Sequence, residues 1–320
     1  MIEEIKQMPK VELHLHLDGS ISPQLASKLS NLSIEEVKNK MIAREKCADL
    51  TEYLTKFDFP ISLMQTKENL TLIAEDLAER LEKQNVIYAE IRFAPMFHTK
   101  KGLSYDEVIT SVLEGLGKAR KIKTNLILCL MRGASDKDNE DTLNVALKFI
   151  HKGVCALDLA GDEKHYPTYL YEKYFIMAKK HNIPFTIHAG EAGDFNEIDK
   201  ALEFGAKRIG HGVHSIENIN TYNRLIKQNI LLELCPTSNI QTDAVSTYNR
   251  HPVKKMYNDK MSLSINTDNS TVSNVSITDE YIKLYKTFNF TIVDFKKMNE
   301  MAINHAFISE KEKEELINIL

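Results

Sequence analysis

Apolar and polar positions alternate between Val11 and Asp18. Val11, Leu13, Leu15 and Leu17 are apolar, and Glu12, His14, His16 and Asp18 interleave with them. A period of two is the mark of a β-strand with two different faces. His14 and His16 therefore project from the same side, close enough to grip one ion, and neutral imidazole is a common ligand for zinc and its neighbours. Asp18 follows at the strand end, and Gly19 lets the chain turn. Taken alone, the stretch also fits a half-buried strand with two incidental histidines.

The pattern then turns helical, with helices predicted over 23–29, 33–43, 49–56 and 67–84. Ser33 with Glu36 three residues on is a capping-box pattern. Leu70, Ile73, Ala74, Leu77, Ala78 and Leu81 make an i, i+3, i+4 stripe. A helical insertion over about 23–84 thus separates the first strand from the second. A connection this long either lies over a site as a lid or adds core, and both readings stand.

From residue 86 onward apolar runs alternate with amphipathic ones. Strands are predicted at 86–93, 126–131, 154–159, 185–188, 208–211, 230–234 and 262–266. Helices at 104–123, 138–151, 168–181, 196–204, 216–228 and 253–257 separate them, and more helices fill the chain from 279 on. The interior strands are near-continuous apolar runs, as strands buried on both faces should be. Counting the first, the pattern gives eight β/α units and predicts an α/β fold, a (β/α)₈ TIM-type barrel forming one domain over 1–320. A doubly wound open sheet is the alternative, weakened by the lack of a Gly-rich phosphate turn after the first strand.

Composition narrows the function classes. Of 320 residues, 43% are hydrophobic and 27% charged, and the net charge is −4 with no basic block, which does not suggest binding to nucleic acid or an anionic membrane. Cys47, Cys129, Cys155 and Cys235 are far apart, with no Cys-x-x-Cys pair, and Cys129 and Cys155 lie inside apolar runs as buried thiols would. The polar, acidic start is no secretory signal, and no apolar run approaches the ~20 residues of a membrane helix. A reducing cytoplasm is the expected location. Nothing in the pattern sets an oligomeric state.

In a barrel the chemistry gathers where strands end. His14, His16 and Asp18 end the first strand, His188-Ala189-Gly190-Glu191 the fifth, Gly210-His211-Gly212 the sixth and Thr267-Asp268-Asn269 the eighth. Ionisable groups at four such tips are hard to ascribe to packing or solvation. His14, His16, His188 and Asp268 supply three imidazoles and a carboxylate, a shell suited to one Zn²⁺ with room for a water. His211 could orient or deprotonate that water. Glu191 could pass a proton to a ring nitrogen or a leaving group.

Val11-Glu12-Leu13-His14-Leu15-His16-Leu17-Asp18-Gly19-Ser20 resembles the opening signature of the adenosine deaminase family. Asp158-Leu159-Ala160-Gly161-Asp162-Glu163, His188-Ala189-Gly190-Glu191, Arg208-Ile209-Gly210-His211-Gly212, Cys235-Pro236-Thr237-Ser238-Asn239 and Ser264-Ile265-Asn266-Thr267-Asp268 resemble its later motifs, in the family's order. Each motif alone is weak; the ordered set is strong. The resemblance implies a zinc (β/α)₈ barrel that hydrolyses adenosine or 2′-deoxyadenosine to the 6-oxo nucleoside and ammonia. It implies that His14, His16, His188 and Asp268 hold the metal, and that Glu191 protonates adenine N1. His211 would act on the attacking water and on the charge that develops at C6. Asp18, with His16 close by, would bind the ribose end, and Gly161 would present backbone groups to the purine edge.

One position departs from the family's commonest pattern, which has a second Asp after the metal-binding one. Here Asn269 stands there. Its expected partner is purine N7, an acceptor, and an amide nitrogen donates at any pH. The bland reading is that Asn269 caps the following turn.

The other histidines read as incidental. His151 and His181 end predicted helices, where a cation suits the dipole. His98, His165, His251 and His305 are expected in solvent, and His214 near the site. Arg92 and Arg132 are expected in ion pairs near the barrel rim. Competing functions are deamination of another 6-aminopurine (adenine, AMP or aminodeoxyfutalosine), a two-metal barrel hydrolase and a non-catalytic relative. A bridging lysine is missing from the end of the fourth strand, and all the candidate catalytic groups are present. The cytidine-deaminase type is excluded by the lack of Pro-Cys-x-x-Cys.

Overall fold

Strand β1 (Lys10–His16) follows a short helix α1 (Ile2–Gln7) in the computed structural model, which describes residues 1–320. Helices α2 (Pro23–Ser30), α3 (Ile34–Met41), α4 (Leu50–Leu54), α5 (Asp58–Leu63) and α6 (Lys67–Lys83) then precede β2 (Val86–Phe93). Strict alternation sets in with α7 (Tyr105–Leu116), β3 (Lys123–Met131), α8 (Asp136–Phe149), β4 (Val154–Ala160), α9 (Glu172–Lys180), β5 (Thr186–Ala189), α10 (Phe195–Phe204), β6 (Arg208–His211), α11 (Ile219–Lys227) and β7 (Leu231–Leu234). Two short helices, α12 (Pro236–Gln241) and α13 (Val253–Asn258), lead to β8 (Leu263–Ile265), and α14 (Ile277–Phe288), α15 (Ile292–His305) and α16 (Glu310–Ile317) end the chain.

All the strand pairs are parallel, β1 to β4 in one run and β5 to β8 in the other. Two seams join the runs. Leu157 on β4 donates to the carbonyl of Pro184 at 3.0 Å, beside a bridge to Phe185. Past the end of β8, Asp268 pairs with β1: His16 donates to the Asp268 carbonyl at 2.7 Å, and Asp268 to the His14 carbonyl at 3.0 Å. The result is the (β/α)₈ barrel, closed by the residues that carry the candidate chemistry.

Local chemistry sets the element ends. Ser33, Ser104, Ser276, Thr291 and Ser309 begin α3, α7, α14, α15 and α16 with reciprocal capping boxes. The stripe Leu70, Ile73, Ala74, Leu77, Ala78 and Leu81 is the buried face of α6. The predicted helix 104–123 is cut short: α7 stops at Leu116, and Lys123–Asn125 pair with Tyr88–Glu90 as part of a longer β3. The predicted helices 168–181 and 216–228 each begin as a 3₁₀ turn, Thr168–Tyr171 and Val213–Glu217. The segment after β7, between the predicted strand 230–234 and helix 253–257, is helix α12, with Pro236 in its first turn where a missing N–H costs nothing.

The barrel interior carries charge rather than only branched aliphatic groups. Arg92 on β2 reaches Asp158 on β4 at 2.9 Å and Glu233 on β7 at 2.8 Å. Arg208 on β6 bonds Glu233 at 2.6 Å and Glu90 at 2.5 Å. All five side chains are wholly buried. Arg92 is therefore an ion-pairing residue, as expected, but it lies deep in the barrel and not near its rim. Burial without a partner would be prohibitive for such groups, so each is compensated by at least one opposite charge.

Candidate active site

The tips of β1, β5 and the β8 segment bring His14, His16, His188 and Asp268 together. His16 Nε2 lies 3.3 Å from His188 Nε2, and Asp268 Oδ1 lies 3.4 Å from Nε2 of both His14 and His16. One ligand atom from each of the four falls within 4.8 Å of the others. The outer nitrogens explain the direction in which the rings face. His14 Nδ1 donates to Glu233 at 2.7 Å, and His188 Nδ1 to Asp158 at 2.9 Å. With the proton held on Nδ1, the Nε2 lone pairs point inward, and His14 Nε2 is buried without a hydrogen-bond partner. A buried acceptor left unpaired beside a carboxylate is unfavourable until a cation meets it. Three nitrogens and one oxygen are a donor set that suits zinc, so the residues fit a metal ion.

Charge supports the same reading. Burial opposes ionisation of Asp268, but the neighbouring His14 imidazole, chiefly through a hydrogen bond, holds it well down in the ionised range. Asp158 and Glu233 are likewise kept ionised against burial, the first chiefly by His188 and Arg92, the second by Arg92 and Arg208. Burial keeps His16 and His211 neutral.

Glu191 and His211 flank this cluster, His211 Nε2 lying 3.4 Å from Glu191 Oε2. Burial, then the charges of Asp268 and Glu163, push the Glu191 carboxyl well above the usual carboxylate range. Its other oxygen faces the Thr242 hydroxyl at 3.0 Å. The loop carrying Glu191 is pinned from behind: the Glu163 carboxylate accepts from the amides of Gly190, Glu191, Ala192 and Gly193 at 2.6–3.0 Å. His211 and Asp268 both adopt left-handed backbone conformations, φ 62° and 61°. Such strain in non-glycine residues concentrates at functional sites.

A cavity of about 430 Å³ opens over the cluster. His16, Asp18, Gly161, His188, Glu191, His211, Asp268 and Asn269 all line it. Leu50, Tyr53, Leu54, Phe57 and Ile61, from α4, α5 and the turn between them, form an apolar wall. Part of the helical insertion thus borders the site. Asp18 is buried, and its carboxyl is pushed up to about 7 by that burial. Gly161 sits at φ +100°, a conformation a side chain would strain. The Asn269 side chain is buried, with Oδ1 lacking a hydrogen-bond partner, and the amide of Ser273 meets the Asn269 backbone carbonyl at 2.8 Å.

Two expectations about histidines are corrected. His98 and His251 are not in solvent; they are 0% and 3% exposed. His98 tucks under the insertion beside Phe93, and His251 packs behind α12. His214 pairs with Glu217 at 2.7 Å and is not among the cavity-lining residues. Arg132, expected in an ion pair, lies 4.0 Å from the Glu197 carboxylate and also bonds the carbonyls of Tyr166 and His188 and the Thr168 hydroxyl. The sequence reading assigned no role to Glu233, Asp158, Glu163, Thr242 or Asn239. A charged residue inside an apolar strand, as Glu233 in Leu231–Leu234, was the available signal.

A closed (β/α)₈ barrel with a His₃Asp cluster at the C-terminal mouth, backed by carboxylates, defines a metal-dependent hydrolase of the amidohydrolase type. Known proteins narrow this further. The family model described as adenosine deaminase matches residues 9–320. The adenosine deaminase of Clostridium perfringens is 40% identical over 321 residues, 97% of each chain, and that of Clostridium botulinum is 42% identical, covering 97% of this chain and 96% of its own. The solved N6-methyl-AMP deaminase of Arabidopsis thaliana superposes with a TM-score of 0.88 at 26% identity, covering 100% of this chain and 98% of its own. The chain belongs to the adenosine deaminase family. None of its helices is long and apolar enough to cross a membrane.

Proposed function

We propose that this protein hydrolyses the 6-amino group of adenosine and 2′-deoxyadenosine, releasing ammonia and leaving inosine or 2′-deoxyinosine. The observation that carries the reading is a buried Glu191, its carboxyl pushed up by that burial, beside the His₃Asp cluster in a cavity sized for a small molecule. His14, His16, His188 and Asp268 would hold one Zn²⁺ per chain. When bound, the ion supplies a Lewis acid that makes hydroxide available near neutral pH.

The chain's own groups do the rest. Glu191 gives its proton to purine N1, which draws electrons from C6 and opens it to attack. His211 meets the oxygen that adds to C6. As the C6–N bond breaks, the proton of the added hydroxyl passes to the amino group, which leaves as ammonia, and the oxygen stays as the C6 carbonyl. Asp18 hydrogen-bonds ribose, Gly161 lets the purine edge approach its backbone, and Asn269 donates to N7. A nucleotide is disfavoured: besides the groups given to the metal and to N1, Asp18 and Asp58 line the cavity with one lysine, Lys100, and a carboxylate at the ribose end repels a 5′-phosphate. Four free, buried cysteines suit a reducing cytoplasm.

The test is the ultraviolet shift that accompanies 6-amino loss, followed with adenosine, 2′-deoxyadenosine, adenine and AMP, with and without a chelator. The nucleosides should react and the chelator should stop them. Faster turnover of adenine or AMP would move the assignment to another 6-aminopurine.

A further inference from the structure

A run of three hydrogen bonds, none involving a cavity-lining residue except at its end, leads from the backbone to His211. The amide of Val253, a donor only, points at His251 Nδ1 at 3.2 Å. That nitrogen must therefore accept, and burial keeps the His251 ring neutral, its pKa down to about 3. The ring proton is then on Nε2, which faces the Asn239 side-chain oxygen at 3.2 Å. The Asn239 amide is thereby oriented, with its NH₂ toward His211 Nδ1 at 3.0 Å. The Asn239 backbone is held as well: its amide bonds the Cys235 carbonyl, and its carbonyl accepts from Val245, both at 2.9 Å. Asn239 and His251 are 0% and 3% exposed, so water does not compete for these bonds.

From this chain we infer that Asn239 and His251 are positioning residues that hold His211 as the tautomer protonated on Nε2 alone. A proton on Nδ1 would face the Asn239 N–H, so both the other tautomer and the imidazolium are disfavoured. His211 Nε2 is buried, aimed into the site and without a protein hydrogen-bond partner. His211 accordingly acts as a fixed hydrogen-bond donor to the oxygen arriving at C6 and takes no proton from it. Of the two options left by the sequence, orienting or deprotonating the water, the chain selects the first. A fixed donor in a dry site stabilises developing charge without reorganising.

The inference rests on the proposed role of His211, and the experiment separates the two. The zinc-loaded enzyme, ¹⁵N-labelled in its histidine rings, gives His211 signals assigned by their loss in His211→Ala. The expected spectrum has Nε2 protonated and Nδ1 bare; a proton on Nδ1 overturns the inference whatever the variants do. Asn239→Asp supplies an acceptor where the amide donated, so the His211 proton should move to Nδ1. Its kcat should fall about 10²–10³-fold with KM within about threefold. On a His211→Ala background the same change should cost less than about threefold, because there is no ring left to orient. Equal losses on both backgrounds would mark Asn239 as merely structural and overturn the inference. Asn239→Leu, which removes the bias without adding charge, should give a mixture of tautomers and an intermediate kcat; an unchanged single tautomer would also overturn it. Full activity in His211→Ala would instead remove His211 from the reaction, a failure of the functional reading itself.

Discussion

The amide of His16 donates to the carbonyl of Asp268 at 2.7 Å, and their side chains meet again at 3.4 Å between Nε2 and Oδ1. Two residues from opposite ends of the chain thus close the barrel and offer ligands to one point. The His₃Asp cluster is consequently tied to the barrel seam, which would suit a metal site that must hold its geometry before any substrate arrives.

Glu191→Gln should keep its metal and lose about 10²–10⁴-fold in kcat, because an amide cannot deliver a proton to N1. If Glu191 acts in its protonated form as proposed, with its pKa raised by burial, wild-type kcat/KM should hold below that pKa and decline as pH rises through it. The variant should lack this decline. Metal analysis and a pH–rate profile check both, and near-normal turnover would take Glu191 out of the mechanism.

Glu233→Gln tests the support behind His14. Glu233 accepts from His14, Arg92 and Arg208 within the barrel. Removing its charge should weaken metal binding about 10–100-fold. It also removes one of two partners from each of two buried guanidiniums, which keep Asp158 and Glu90, so the stability loss should stay below about 3–5 kcal/mol, the cost of an unpaired buried charge. Competition with a chromophoric chelator and thermal denaturation measure the two effects.

Glu163→Ala frees four amides of the loop that carries Glu191. Unmet buried donors should cost about 2–4 kcal/mol in total. With the loop unpinned, kcat should fall about tenfold or more. A variant with wild-type Tm and kcat would show that the loop holds its shape without the carboxylate.

Much of this was readable from residues alone. The period-two pattern around His14 and His16 gave a strand with both imidazoles on one face, and eight apolar runs separated by helical stripes gave the barrel. Recurrent polar groups at strand tips gave the cluster. Beyond an ion pair for Arg92, short-range pattern said nothing of the interior network, because Arg92, Glu90, Arg208 and Glu233 are isolated charges whose partners lie on other strands. His251 was misjudged for the same reason: its burial comes from α12, a helix hidden in a Pro-Thr-Ser-Asn stretch that reads as loop. The end of α7 was overrun because the pull of β3 on Lys123–Asn125 is a tertiary effect.

Asn269 is tested with a 7-deaza substrate analogue, in which carbon replaces N7. The wild-type enzyme should bind it about tenfold less tightly than the N7 parent, the worth of one hydrogen bond. Asn269→Ala should bind the two alike. Equal affinities in the wild type would show that the contact does not exist.

The proposed reaction requires a single cation held by His14, His16, His188 and Asp268. The direct measurement is a zinc titration of chelator-stripped enzyme, with bound metal and adenosine turnover recorded together. Activity should rise linearly and level off at one Zn²⁺ per chain, and Asp268→Ala should bind little metal over the same range. Full activity in the stripped enzyme, a plateau at two ions per chain, or undiminished metal in the variant would contradict it.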